Sequence, residues 1–268
     1  SKSKSSLSCL KKQPPSNALT KEKVIVDYYN VNFNGDAEFK EIYERLFKHV
    51  FTATRYCGVA TLKALHIEDD VPWLFSNVGW CNFHITKYPT YKRVTLEFLS
   101  SLKANVGPGF DDGMITFCLY NASHSRTLAQ LNEVLGLPSG DNRSTSKYWN
   151  ASPLWRILTG KEFDSKKSSS SHIRHPAHRY VHKALANTVF SREENSKVRK
   201  DEVCMLDHML HVKAINTGAF LIWQMESIVA NQTAKGAIVL EGLITPIALN
   251  LGHKERLLQD GLVRGPLL

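Results

Sequence analysis

The 268-residue chain carries 43% hydrophobic side chains and a formal net charge of +9. That length fits one large domain or two small ones with a sizeable core, and the composition excludes wholesale disorder. No apolar run reaches the roughly 18 residues of a membrane span, and Ser1-Lys2-Ser3-Lys4 leads into no apolar stretch. Neither a membrane anchor nor a secretory signal is therefore expected, and the missing initiator methionine reads as a trimmed or partial chain.

Residues 1–23, built of Ser, Lys and Pro14-Pro15, read as a flexible basic arm that cannot form a core. An N-terminal block, 24–160, follows. Val24 to Phe33 reads as a segment docking on the core, and Asn34-Gly35-Asp36 turns into a helix with Phe39, Ile42, Tyr43, Leu46, Phe47 and Val50 at helical spacing. Thr61 to Ile67 is a short helix. Asp70 is placed to cap the next one, with Trp73, Leu74 and Val78 facing inward.

The clearest pattern runs from Tyr88 to Pro138. Thr90 is placed to cap a helix that brings Val94, Leu96, Phe98, Leu99 and Leu102 to one face, and Asn105-Val106-Gly107-Pro108-Gly109 breaks it. Met114 to Tyr120 is short, rich in β-formers and reads as a strand. Thr127 and Gln130 have capping-box spacing ahead of Leu128, Leu131, Val134 and Leu135. Gly136 supplies a left-handed C-terminal residue, Leu137 folds back, and Pro138 bars continuation.

Ser139 to Lys147 is a polar loop, and Pro153 opens a short helix ended by Gly160. The Ser- and Lys-rich stretch 161–171 reads as a linker to a second helical block, 172–251. That block has helices from Pro176 and Asp201, a uniformly apolar and central one over Ala219 to Val229, and a last apolar element over Ile244 to Leu251. Ile238-Val239-Leu240 fits either strand or helix. Residues 252–268 form a polar tail. The fold class is mainly α with a minor β component (α+β), with a short strand or hairpin near 114–120.

The positive charge is localised. Residues 1–23 hold six lysines against Glu22, a net +5, and residues 161–183 hold six cations against Glu162 and Asp164, a net +4. The remainder sums to zero. Confined positive charge points to an anionic partner, RNA or DNA foremost. The candidate phosphate-contacting residues are Lys2, Lys4, Lys11 and Lys12 in the arm and Lys166, Lys167, Arg174, Arg179 and Lys183 in the second stretch.

Motifs of chemistry are sparse. Cys9, Cys57, Cys81, Cys118 and Cys204 are odd in number, far apart and without a Cys-x-x-Cys pair, so reduced thiols in the nucleus or cytoplasm are expected. His178 and His182 sit four apart, but Arg179 stands where a zincin helix carries its glutamate, so no metal site is assigned. No nucleophile elbow, Gly-rich phosphate loop, Asp-Thr-Gly, Tyr-x-Asp-Asp or zinc-knuckle sequence is present. No enzyme activity and no cofactor are expected.

Tyr91, Thr95 to Leu102, Ile115-Thr116-Phe117 and Leu131 to Pro138 resemble the ATHILA family, the first-open-reading-frame product of plant Ty3/gypsy LTR retrotransposons. Earlier residues (Ala37, Tyr43, Arg55-Tyr56, Asp70-Val71, Gly79-Trp80) and a later block (Ile173 to Pro176, Arg179-Tyr180, His182, Leu185 to Thr188, Arg192) extend the resemblance over roughly 33–251. The layout is also similar to plant mobile domains. The resemblance implies a non-enzymatic, Gag-like structural or nucleic-acid-associated protein, with self-association and no membrane partner. Two alternatives stand beside it: a domesticated protein-interaction module like the plant mobile domains, and a hydrolase or nuclease whose site is gathered from distant residues.

Overall fold

The computed structural model describes residues 29–81, 87–106, 113–141, 145–146, 148–192, 194–231, 237–239 and 241–263. The chain divides at Asn30. Of the first unit only Tyr29 and Asn30 are described, both with left-handed backbone (φ 56 and 55). The arm residues Lys2, Lys4, Lys11 and Lys12 lie outside the described residues, as do Gly107 to Gly109 of the expected helix break.

The second unit runs from Val31. Asp36 caps α1 (Ala37–Phe47) by accepting the Phe39 N–H at 3.0 Å, so the turn expected at 34–36 does open this helix. The helix stops before Val50, which is 70% exposed. Short helices α2 (Val59–Ala64) and α3 (Asp70–Ser76) follow. The N-cap of α3 is Asp69, not Asp70. Leu74 and Val78 face inward as expected, but Trp73 is 56% exposed: with Val71, Leu74 and Phe75 filling the inner face of a two-turn helix, position 73 falls on the outer one.

Thr90 does not cap the next helix. Thr90–Tyr91 is a short strand, β1, paired with a strand near the C-terminus, and α4 begins at Lys92 and ends at Ser101. Every residue from Val94 to Ser101 is buried, so α4 is wrapped on all sides instead of presenting one apolar face. Ser100 and Ser101 make this tolerable by donating to the carbonyls of Leu96 and Glu97 at 2.5 and 2.6 Å. Ser101 Oγ also accepts the Cys118 N–H at 2.7 Å, tying the helix end to a strand.

The small sheet has three antiparallel strands in order β2 (Lys103–Asn105), β3 (Met114–Leu119), β4 (Ala122–Thr127). The strand expected at 114–120 is β3, and with β4 it makes the hairpin form of that expectation. The bounds of β4 and the third strand β2 were not foreseen, because Lys103–Asn105 and Ala122–Thr127 are largely polar and unburied. Tyr120 and Asn121 close the hairpin with φ of 52 and 66. α5 (Leu128–Leu135) has the full capping box, with Gln130 N–H to Thr127 Oγ1 at 3.2 Å and Thr127 N–H to Gln130 Oε1 at 3.0 Å. Gly136 ends it at φ 63, and the Leu137 N–H returns to the Asn132 carbonyl at 2.8 Å.

The second half is helical: α6 (Ser152–Thr159), α7 (Pro176–Asn187), α8 (Lys200–Leu210), α9 (Thr217–Ala230), α10 (Ile244–Asn250) and α11 (Lys254–Gln259). α7 and α8 pack together and against α3, while α9 packs on α5 and α4. The two halves are joined by buried polar bonds. Trp80 Nε1 donates to Thr217 Oγ1 at 2.7 Å, and the Asn132 amide bridges Asn216 Oδ1 (3.0 Å) and the Gly218 N–H (2.8 Å). A side chain at Gly218 would collide with Asn132 Oδ1, so the close approach demands glycine there.

The stretch read as a polar tail is docked where described. Leu257 of α11 is buried, β5 (Leu262–Val263) pairs with β1, and Asp260 Oδ2 accepts the Tyr120 hydroxyl at 2.6 Å. The architecture is mainly α with a minor β component.

Candidate nucleic-acid interface

The sequence-predicted basic residues of the second stretch follow α6. Gly160 ends α6 at φ 74, and the Arg174 guanidinium lies over it where any side chain would collide. Residues 161–171 are a hydrogen-bonded crossing. The Asp164 carboxylate accepts the Lys166 N–H at 2.8 Å, and its carbonyl accepts the Ser168 N–H at 2.8 Å. This Asx-type turn holds Lys166 and Lys167 on its outside, both exposed.

The next residues pair with a segment far along the chain. The Ser170 N–H donates to the Ser196 carbonyl at 2.7 Å, the Val198 N–H donates to the Ser168 carbonyl at 3.0 Å, and Ser169 bridges Lys197. Exposed Lys197 and Arg199 are thereby brought beside the Lys166–Lys167 turn. Net charge hid these two, since in 192–202 four cations (Arg192, Lys197, Arg199, Lys200) offset four carboxylates (Glu193, Glu194, Asp201, Glu202). Folding sorts the signs in part: Glu202 is turned fully inward, while Lys197 and Arg199 stay out together with Glu194.

Arg174 and Lys183 are exposed, Lys183 two turns along α7 from Pro176. Arg179 is not free for phosphate in the same way. Its Nε and Nη2 donate to the Ile173 carbonyl at 2.9 and 2.6 Å, fixing the chain as it enters α7.

Glu202 anchors the inner side of this face. Its carboxylate is 0% exposed and lies 2.8 Å from His182 Nε2, accepts the Arg199 N–H at 2.8 Å, and is paired with Arg192. Burial alone pushes the carboxyl pKa upward. The hydrogen bond and charge of His182, the Arg192 guanidinium and the Arg199 N–H outweigh it, and the net direction is down. Burial and neighbouring Arg192 in turn lower Arg199.

The remaining histidines are dispersed among other tasks. The His175 and His178 rings lie tilted with centroids 4.5 Å apart, and burial, then the His175 charge, lowers His178. His182 is committed to Glu202, so the pair spaced four apart does not converge. His208 Nδ1 lies 2.7 Å from the Cys204 carbonyl and His211 faces Asp207. Among the described residues no group of three or more His, Cys, Asp or Glu is gathered to hold a metal ion. Cys57, Cys81, Cys118 and Cys204 are free thiols, and burial pushes Cys57 up to about 12.

The model of the ATHILA ORF-1 family matches residues 16–215. The chain belongs to this family. Membership makes it a retrotransposon-derived protein, and the matched span takes in the α4–hairpin–α5 unit and the whole basic face, ending one residue before the α9 cap, Asn216. No curated protein and no solved structure matches the chain. Among the described residues no helix is long and apolar enough to cross a membrane.

Proposed function

We propose that this is a non-enzymatic, Gag-like structural or nucleic-acid-associated protein of a plant LTR retrotransposon, acting inside the cell and holding RNA or DNA through its phosphates. The observation that carries the reading is the sorting of charge in 161–202. Lys166, Lys167, Lys197 and Arg199 are exposed and drawn together by the 168–170 to 196–198 backbone bonds, while Glu202 is buried. Exposed lysines on turns follow phosphates without reading bases. A non-enzymatic role accords with the internal position of the His182–Glu202 pair, which at 0% exposure reaches no substrate.

The test is a salt titration of binding to labelled RNA and DNA. Engaging about five phosphates gives a log–log slope of roughly −4 on a duplex and a shallower one on a single strand. Lys166→Glu with Lys167→Glu weakens all sequences alike, and removing residues 1–23 flattens the slope without unfolding the protein. Absence of binding at low salt, or one slope shared by all three proteins, leaves the charge merely solubilising and overturns the reading. Concentration-dependent assembly on added RNA is the expected sign of the structural role.

A further inference from the structure

A cleft of about 450 Å³ opens between the end of α1, the α7–α8 connection and the outer half of α9. Its lining is mixed: Leu46, Phe190 and Ile238 stand beside Ser191, Ser227 and charged side chains. Trp223 of α9 lines it and is 44% exposed, whereas Trp80 and Trp155 are fully buried. The next residue, Gln224, lines the same cleft; the residue as a whole is 8% exposed, but its amide is not among the buried polar atoms left without a partner and stays open to the cleft. An amide open to a cleft and uncommitted to the protein can exchange its water for the edge of a ligand.

The opposite side is cationic. Arg192 is fixed in advance by Glu202 and by the Lys197 carbonyl, at 3.1 Å. Arg199 is exposed and forms no ion pair among the described residues. At the rim the Glu194 carboxylate accepts the Ser196 N–H at 2.6 Å. A half-exposed indole, an amide open to the cleft, an exposed Arg199 beside the Glu202-paired Arg192, and one accepting carboxylate are the complement of a base, a phosphate and a ribose.

We propose that this cleft binds one ribonucleotide unit. The base stacks on Trp223 and meets the Gln224 amide at its edge, and the phosphate meets Arg199 and Arg192. Glu194 repels phosphate and accepts sugar hydroxyls, so it orients the unit and favours ribose over deoxyribose. The volume lies within the roughly 300–1,000 Å³ of small-molecule sites. This goes beyond a phosphate-tracking face, which needs no pocket and distinguishes neither sugar nor base. Arg199 belongs to both, but Lys166 and Lys167 do not line the cleft, so the two readings are separable at those lysines.

The experiment is an NMR titration of the ¹⁵N-labelled full chain with adenosine 5′-monophosphate, uridine 5′-monophosphate and deoxyadenosine 5′-monophosphate. Adenosine monophosphate is expected to saturate and shift the Trp223 indole resonance, with the uridine and deoxy compounds weaker. Trp223→Ala lowers its affinity by about fivefold or more, the usual cost of losing one base–aromatic stack. Arg199→Ala weakens the monophosphate but not adenosine. Gln224→Leu weakens binding while leaving the melting temperature equal or higher, since it removes an amide open to the cleft; a lowered melting temperature would make the amide structural and overturn the proposal. Absence of saturable binding at millimolar nucleotide, or equal binding by parent and Trp223→Ala, overturns it as well. Tighter binding of a 5′-phosphorylated trinucleotide identifies a strand as the source, and equal binding identifies free nucleotide. Retained adenosine monophosphate binding in the Lys166→Glu, Lys167→Glu variant keeps this site distinct from the basic face.

Discussion

Two buried glutamates show how differently the halves of this protein are held. Glu97, in the middle of α4, is 1% exposed and accepts the N–H groups of Tyr120 (2.8 Å) and Asn121 (2.6 Å), so it pins the turn of the β3–β4 hairpin. Its contacts are with backbone dipoles. Glu202 of α8 is also buried but is held by His182, Arg192 and the Arg199 N–H. Burial raises the Glu97 carboxyl despite the turn N–H bonds, whereas the charged partners of Glu202 bring it down despite burial. Dipoles give the first half its shape; fixed charges give the second its charged face.

The largest loss is expected at Glu202. Glu202→Leu leaves the Arg192 guanidinium, only 10% exposed, without its carboxylate and the Arg199 N–H without an acceptor. A destabilisation of about 3–5 kcal/mol in urea denaturation is expected, as for other broken buried pairs. A loss under about 1 kcal/mol would show that Arg192 simply swings into solvent. The pH dependence gives the sign. A carboxyl lowered by folding from its ordinary 4.5 stabilises fully above that value, and the contribution is lost as pH falls through the folded pKa. The stability gap between parent and Glu202→Gln therefore narrows on acidification.

Glu97→Gln tests the other glutamate and should cost about 2 kcal/mol at neutral pH, because an amide offers one acceptor to two turn N–H groups. Here the slope reverses. A carboxyl raised by folding binds its proton more tightly in the native state, so the parent gains on the variant as pH falls towards the ordinary 4.5. Parallel slopes for the two variants would sink the contrast between dipole and charge.

The same contrast explains what the sequence disclosed. Periodicity and capping chemistry act over a few residues, so α1, α5, α7 and the strand β3 were legible from Asp36, Thr127, Pro176 and the Met114–Tyr120 run. What depends on distant partners was not. Thr90 looks like a cap but pairs with Val263, Trp73 looks like core but faces out, and Ala122–Thr127 is too polar to read as a strand until β3 lies beside it. The basic face was half legible: Lys166, Lys167, Arg174 and Lys183 stand exposed, but Lys197 and Arg199 were masked by neighbouring acids. Burial of Glu202 unmasks them, and no window of net charge reports burial.

The smallest effect is expected at the most local feature. Thr127 is at once the last residue of β4 and the N-cap of α5, and its two bonds with Gln130 close a ring within four residues. Thr127→Ala removes the acceptor for the Gln130 N–H but leaves the Thr127–Met114 strand register and the Leu128 N–H to Gly113 carbonyl bond (3.2 Å) in place. The cost should be about 1 kcal/mol, the usual value for a lost cap, with an unchanged denaturant slope because no additional surface is exposed. Thr127→Ser keeps the hydroxyl and should recover most of it. A Thr127→Ala protein unfolding at the parent's denaturant concentration would show that β4 alone positions α5, and the helix start would then belong with the distant contacts.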